Sequence, residues 1–459
     1  MAQTGPRRVL SLFDTTNLIV GIIVGAGVVA AAPEVARAVG SGAGLIGLWL
    51  VGALLSLCGA FGYAELATTY PEQGGDYVYL TRAYGRWAGF LFGWIQTLVV
   101  RPGDIAVMAW VFAAYADAVV EQPWVGRPGL AVGAVAVLTV INAVGVRRGV
   151  IVQNVLTSVK VAGAGLVVVL ATVAGGRPTA GVVADAAVVE PLPLSIALIL
   201  VLFSYGGWNE MAYVAAEVRD PKRNIVRAMV AGMAVVTAIY LAINTAFLRT
   251  LGLDGMAASR AVATETVARV LPEFAGVVVA VLICVFALGA VNGLVLAGAR
   301  ISYAVGRDHR LFAGLGRWSE ATGTPVRALV VQGALAVVLI VALGSFVDTV
   351  MYTAAAVYLF YLATSVAVIV LRVRDRHVVR PYRVTGYPWT TLVFCGVCVL
   401  LIVASVRYRP WIAAASAALI LLGVPAFRLS ERIGRPRPAE CSGPRSSRPA
   451  AEGPPPIRA

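Results

Sequence analysis

The chain has 459 residues, of which 59% are hydrophobic and only 13% are charged, and its mean hydropathy is +0.84. A soluble domain carries about 25% charged residues, so this composition excludes a soluble globular protein and indicates a polytopic membrane protein. We attribute the net charge of +14 to membrane topology and attraction to anionic lipid, and not to nucleic-acid binding.

Apolar runs bounded by Arg, Pro and Gly clusters predict twelve membrane spans. They cover residues 14–36, 43–68, 88–119, 128–146, 152–174, 192–216, 225–249, 273–300, 327–345, 349–371, 388–406 and 410–428. The short basic start is followed by a run of full spanning length, so no cleavable signal peptide is expected. Residues 429–459 are rich in Pro, Arg, Ser and Gly, which predicts a disordered tail.

Most of the 37 Lys and Arg residues fall at the N-terminus, in the loops after even-numbered spans and in the tail. By the positive-inside rule, both termini are expected to be cytoplasmic, with the protein in the cell (inner) membrane.

Two glycine clusters interrupt predicted spans near their middles. Gly25-Ala26-Gly27 lies in the first span and Gly206-Gly207 in the sixth. Glycine is a poor helix residue, and an opened helix is tolerated in hydrocarbon only where its backbone faces a ligand, water or protein. Interrupted helices in corresponding positions of two halves indicate a transporter site at the midplane. Close helix packing is the alternative for either cluster alone.

Ionisable residues inside a span are costly and usually face a partner or a cavity. Arg101 and Asp104 in the third span are three residues apart and can pair on a helix, so either a self-satisfied pair or a site on the substrate pathway is expected. Lys160 lies mid-span in a chain with only one other lysine, Lys222. That placement favours a chosen point charge over a side chain that snorkels to the interface.

No metal or cofactor site is expected. The two histidines, His309 and His377, fall in predicted loops, and the Cys395–Cys398 pair lies in an apolar span where packing is the simpler role. The ionisable residues within the spans are scattered, which argues against an integral-membrane enzyme. No ring-like repeat of charges indicates a channel.

Several strings together resemble the amino acid–polyamine–organocation (APC) superfamily, and within it bacterial relatives of the L-type amino acid transporters. They are Ile22–Val29, Tyr63–Tyr77, Arg101-Pro102, Phe203–Asn224, Val291–Arg310 and Arg380–Pro388. The resemblance implies an all-α LeuT-type fold with two inverted five-helix repeats, followed by peripheral helices. The repeats would cover about 14–174 and 192–371, and the peripheral helices 388–428.

The resemblance also implies roles for individual residues. The substrate carboxylate would meet the backbone of Gly25, Ala26 and Gly27. The ammonium would meet carbonyls at Ile23, Phe203 and Gly206. The remaining implied roles are an aromatic gate at Phe203, a side-chain pocket at Tyr358, gating or coupling at Asn209, and a sodium substitute at Lys160.

This chain departs from the family pattern in three ways. Ala26 stands where a serine is common, and Gly206 stands where relatives with cationic substrates can have an acid. Asp104 replaces a small residue, which favours cationic substrates. Loop 121–127 has no cysteine, so no disulfide-linked heavy chain is expected.

Together these features predict a sodium-independent transporter of neutral amino acids that works by exchange or proton coupling. A carrier of cationic amino acids or polyamines is the alternative.

Overall fold

The computed structural model describes residues 8–119, 126–173, 192–259, 261–343, 346–408 and 410–434. Within these ranges the regular structure is helical, apart from two isolated β-bridges. This confirms the all-α prediction at the level of fold class.

The helices of the first half begin at Leu12. They are α1 Leu12–Ile23, α2 Gly27–Ala38, α3 Gly42–Thr69, α4 Asp76–Tyr84, α5 Arg86–Ile95, α6 Arg101–Val119, α7 Gly126–Val144 and α8 Val146–Val173. A π-helical turn, Gln96–Val100, joins α5 to α6. Such turns often occur at functional sites.

The helices of the second half begin at Leu194. They are α9 Leu194–Ser204, α10 Glu210–Tyr213, α11 Pro221–Ala258, α12 Val262–Ala268, α13 Ala275–Asp308, α14 Val326–Leu343, α15 Phe346–Arg374, α16 Trp389–Tyr408 and α17 Pro410–Ile433. Short 3₁₀ turns follow α10 and α13.

Within the described ranges, seven helices are long and apolar enough to cross a membrane, and the pair α1 and α2 makes an eighth span if it is counted as one. Three shorter apolar helical stretches lie at 194–204, 326–341 and 389–404. Helices α3, α7, α14, α15 and α16 match predicted spans to within about three residues at each end, whereas α8 begins six residues earlier than predicted and α11 and α13 end eight or nine residues later. Helix α17 continues to Ile433, so the start of the predicted tail is helical, while residues 435–459 and most of loop 121–127 lie outside the described ranges.

The first predicted interruption is present. Helix α1 starts with a capping box in which Ser11 and Asp14 cap each other's backbone, and it ends at Ile23. Helix α2 starts at Gly27, and the two helices are bent by 49°.

The second interruption is also present, and it is wider. Helix α9 ends at Ser204 and α10 begins at Glu210. Gly207 has φ +110°, a conformation that favours glycine, and a Cβ atom there would lie 2.7 Å from Ile22. A Cβ atom on Gly27 would lie 3.3 Å from the Ser204 hydroxyl. The glycines therefore let the two interruptions approach each other closely.

The surrounding helices hold these interruptions in the interior. Helix α11 packs against α1, α2 and α3, and α13 packs against α1, α6 and α8. The larger buried apolar cluster surrounds both interruptions, and a smaller one joins α6, α7, α13 and α14.

Candidate substrate site

A cavity of about 180 Å³ lies between the two interruptions. Its walls come from both breaks and from α6, α13, α15 and α16. Most of the predicted site residues line it, namely Ile23, Gly25, Gly27, Arg101, Asp104, Phe203, Gly206, Asn209 and Tyr358. Ala26 and Lys160 are not among its lining residues: Ala26 lies within the break beside the cavity, and Lys160 lies behind it.

The break between α1 and α2 leaves polar backbone groups near the cavity. The first N–H groups of any helix lack intrahelical acceptors, and no side chain caps α2 at Ala26. Free N–H groups at a helix N-terminus suit an anion such as a carboxylate. The backbone at the break stays uncovered because Gly25 has no side-chain atoms.

Tyr240 of α11 joins the ends of the two broken segments. Its hydroxyl lies 2.8 Å from the carbonyl oxygens of both Ile23 and Ser204, and its side chain is fully buried. Helix ends expose carbonyl groups that need a donor, and this hydroxyl supplies one at the point where α1 and α9 both stop. Tyr240 was not predicted as a functional residue, although a tyrosine inside an apolar span is a visible signal in the sequence.

Lys160 is fully buried. Its Nζ donates hydrogen bonds to the carbonyl oxygens of Gly21, at 2.6 Å, and Val24, at 2.9 Å. Gly289 of α13 leaves room for the lysine side chain, because a Cβ atom on Gly289 would lie 2.5 Å from Cε of Lys160. The ammonium thus contacts the negative end of the α1 dipole and is too deep to snorkel.

Arg101 does not pair with Asp104, although their spacing of three residues on a helix would allow it. Its Nη2 lies 2.7 Å from Oε1 of Glu210, and its Nε donates to Gln96 at 3.0 Å. Arg101 and Glu210 are both nearly inaccessible. The pairing arises because the start of α10 faces α6 across the cavity, a relationship that sequence spacing cannot show.

The carboxylates and the guanidinium form a charged wall. Asp104, Arg101 and Glu210 all line the cavity, which gives two acids for one base. Oε2 of Glu210 and Nη1 of Arg101 have no hydrogen-bond partner. Buried polar atoms are normally hydrogen-bonded, so Nη1 of Arg101 can donate a hydrogen bond to a ligand or water, and Oε2 of Glu210 can accept one.

Comparisons with known proteins identify the family of the chain. The family model for amino acid permeases matches residues 10–422. The chain belongs to the amino acid permease family. The resemblance to the APC superfamily inferred from the sequence motifs is thereby confirmed.

Three relatives illustrate the range of the permease's similarities. The serine/threonine exchanger SteT of Bacillus subtilis is 31% identical over 84% of this chain and 88% of its own length. The human b(0,+)-type amino acid transporter 1 is 28% identical over 83% of this chain and 79% of its own length. The large neutral amino acids transporter small subunit 2 of rabbit is 28% identical over 92% of this chain and 80% of its own length.

An aromatic and amide wall completes the permease's cavity. Phe203, Tyr358 and Tyr361 all line it, and the Tyr361 hydroxyl donates to Oδ1 of Asn209 at 2.8 Å. Tyr361 was not among the predicted site residues, and its contact with Asn209 is visible only in the structure.

A buried amide network supports the permease's first break from behind. Asn292 accepts from Asn142 and donates to Gln153, and a Cβ atom on Gly21 would lie 2.2 Å from the Gln153 amide. These residues were not predicted as functional. Within the described ranges, no group of three or more His, Cys, Asp and Glu side chains could hold a metal ion.

Proposed function

We propose that the permease carries amino acids across the membrane by alternating access around the two helix breaks. The single observation that carries this proposal is the cavity between the breaks. It combines the N-terminal end of α2, the carbonyl ends of α1 and α9, and a largely apolar wall. Free N–H groups suit a carboxylate, carbonyl oxygens suit an ammonium, and the apolar wall suits a side chain.

The proposed binding residues keep the roles that the family resemblance implied. Gly25, Ala26 and Gly27 would bind the carboxylate through their backbone. Ile23, Phe203 and Gly206 would bind the ammonium. Tyr358 would contact the substrate side chain, and Phe203 and Asn209 would change position as the site opens and closes.

Sodium independence is supported by the position of Lys160. Its ammonium already occupies the polar end of α1 and donates to two carbonyl groups there. A fixed positive charge at this point supplies what a bound sodium ion would supply, namely neutralisation of exposed carbonyl dipoles. A sodium gradient is then not needed to assemble the site.

Neutral amino acids are the first candidates for the substrate, because Gly206 brings no acid to the second break. Cationic amino acids or polyamines are the second candidate, because Asp104 lines the cavity and Arg101 has Glu210 as its ion-pair partner. The permease would take up a free amino acid from water and release it on the other side without covalent chemistry.

The architecture that we propose for the whole chain goes beyond the spans that the described helices establish. We propose twelve spans, with repeats at about 14–174 and 192–371, peripheral helices at 388–428 and both termini in the cytoplasm of the cell. A disulfide-linked heavy chain is not needed in this proposal, since loop 121–127 contains no cysteine.

Transport by purified permease in proteoliposomes tests the proposal. Radiolabelled neutral, acidic and basic amino acids would each be offered with sodium or choline outside, and with or without unlabelled amino acid inside. We expect uptake of a subset of amino acids that is equal in sodium and choline. Stimulation by internal substrate would indicate exchange, and stimulation by an inward pH gradient would indicate proton coupling. Absence of uptake for every amino acid would refute the proposed function.

A further inference from the structure

Asp76 gathers three hydroxyl groups from three different helices. It is the first residue of α4 and is 1% exposed. Its carboxylate accepts hydrogen bonds from Tyr63 of α3, from Thr364 of α15 at 2.5 Å and from Tyr213 of α10 at 2.7 Å. All three donors are themselves buried. One carboxylate therefore joins four separate helices.

Two glycines allow this convergence. Gly74 has φ +106° and Gly75 has φ +49°, both in the region that favours glycine. A Cβ atom on Gly75 would lie 2.6 Å from the Tyr213 ring, and one on Gly74 would lie 2.7 Å from Ala304. From the sequence alone, the Gly-Gly-Asp string is also compatible with an ordinary turn. In the structure, the backbone conformation of its two glycines brings Asp76 against α10.

A chain of hydrogen bonds connects Asp76 to the substrate cavity. The Tyr213 hydroxyl donates to Asp76 and accepts from Nδ2 of Asn209 at 3.0 Å. Oδ1 of Asn209 accepts from the Tyr361 hydroxyl. Asn209 and Tyr361 both line the cavity. A ligand that moves either side chain therefore alters the bonds that reach Asp76.

The helix held by Asp76 belongs to the broken segment and lies toward the side where the chain begins. After α10 the chain reaches Val218, which forms a β-bridge with Leu10. Helix α10 has only four residues, too short to be stable alone, so its position depends on partners in the surrounding helices. Tyr213 is the residue through which it is bound to Asp76.

Among the described residues, the hydrogen-bond partners of Asp76 are neutral hydroxyl groups, in contrast to the nearby buried acid Glu217, which pairs with Arg300. Breaking a buried ion pair leaves an uncompensated charge and is costly. A carboxylate bound by hydroxyl groups can exchange them for water as a pathway opens. The bonds of Asp76 are therefore suited to reversible opening.

We propose that Asp76, Tyr63, Tyr213 and Thr364 form a latch that closes the cavity on the N-terminal side of the protein and opens in response to changes at Asn209. Asp76 acts as a positioning residue: it does not touch substrate but holds α10 against α3 and α15. The inference rests on the proposed alternating-access function.

Cys398 provides a native reporter, because it lines the cavity and is fully buried. We would replace Cys58, Cys284, Cys395 and Cys441 by serine and apply a membrane-impermeant thiol reagent to vesicles of either orientation. We expect Asp76→Asn to raise the rate of Cys398 labelling from the N-terminal side by about tenfold, as expected for loss of one charge-assisted hydrogen bond. Labelling from the other side would not rise.

Single-hydroxyl variants and a matched carboxylate variant make the test specific. Tyr213→Phe and Thr364→Val should raise the labelling rate less than Asp76→Asn does. Asp308→Asn is the control, because Asp308 also accepts from a tyrosine hydroxyl, that of Tyr77, but is exposed. In the Asp308→Asn variant, Cys398 should be labelled at the background rate. If Asp76→Asn does not fold, the two hydroxyl variants decide the question.

Unchanged labelling in Asp76→Asn, or in both hydroxyl variants, would overturn the latch. That result would leave amino acid uptake by the parent protein intact, so it is distinguishable from failure of the proposed function. Failure of the parent to transport any amino acid would remove the transport role. A rise in labelling from both sides would also overturn the latch, since it would indicate general loosening.

Discussion

The ammonium nitrogen of Lys160 lies 2.6 Å from the carbonyl oxygen of Gly21. The lysine reaches this carbonyl from α8, 139 residues along the chain. The carbonyl belongs to the last turn of α1, where the helix stops and backbone acceptors lose their intrahelical donors. A positive charge at this position stabilises the end of the helix and leaves the break free for substrate.

The first prediction concerns the charge of Lys160. Lys160→Ala should abolish most transport, because the carbonyl groups of Gly21 and Val24 would lose their donor. Lys160→Arg should rescue it poorly, since the planar guanidinium is larger and directs its donors differently. Uptake in proteoliposomes measures both. Full activity of the alanine variant, or sodium-dependent uptake by the unmodified protein, would contradict the idea.

The second prediction concerns the space that Gly289 leaves for Lys160. Gly289→Ala should displace the lysine and reduce uptake, because the new Cβ atom would lie 2.5 Å from Cε of Lys160 and 2.9 Å from its Nζ. Gly276→Ala is the matched control on the same helix, since a Cβ atom there would have no neighbour within 4 Å. Equal uptake by the two variants would show that this close contact is unimportant.

The third prediction concerns the second break. Gly206→Trp should abolish substrate binding, because a Cβ atom there already lies 3.0 Å from the carbonyl oxygen of Phe203 and a larger side chain would enter the cavity. Stabilisation by substrate in a thermal-shift assay measures binding. Gly165→Trp, at a position on α8 with no neighbour within 4 Å, should keep it. Substrate stabilisation of the Gly206 variant would refute the assigned site.

The fourth prediction separates the roles of Asp104 and Glu210. Glu210→Gln should lower stability strongly, by about 3–5 kcal/mol for a broken buried ion pair, because Arg101 would lose its partner. Asp104→Asn should fold normally and keep neutral uptake, but lose any uptake of arginine or lysine. Detergent-solubilised yield, melting temperature and uptake distinguish the two variants. Poor folding of Asp104→Asn together with normal folding of Glu210→Gln would reverse the assignment.

The sequence by itself determined the class of protein and the location of the two breaks. Composition was decisive, because a chain with so few charges cannot cover a soluble surface. Glycine clusters within apolar runs were equally informative, since glycine is the residue that disfavours a continuous helix. Lys160 was recognisable for a related reason: a charge at that depth is costly unless a partner exists.

The identity of the partners was decided only by the tertiary structure. The local spacing suggested Asp104 as the ion-pair partner of Arg101. In the structure the partner is Glu210, which lies more than a hundred residues away in the sequence. The partners of Tyr240 and Asp76 were likewise decided by the fold, because they lie on helices remote in sequence. A buried polar group must find its partner in three dimensions, and helix packing, which the linear pattern does not encode, determines which groups meet.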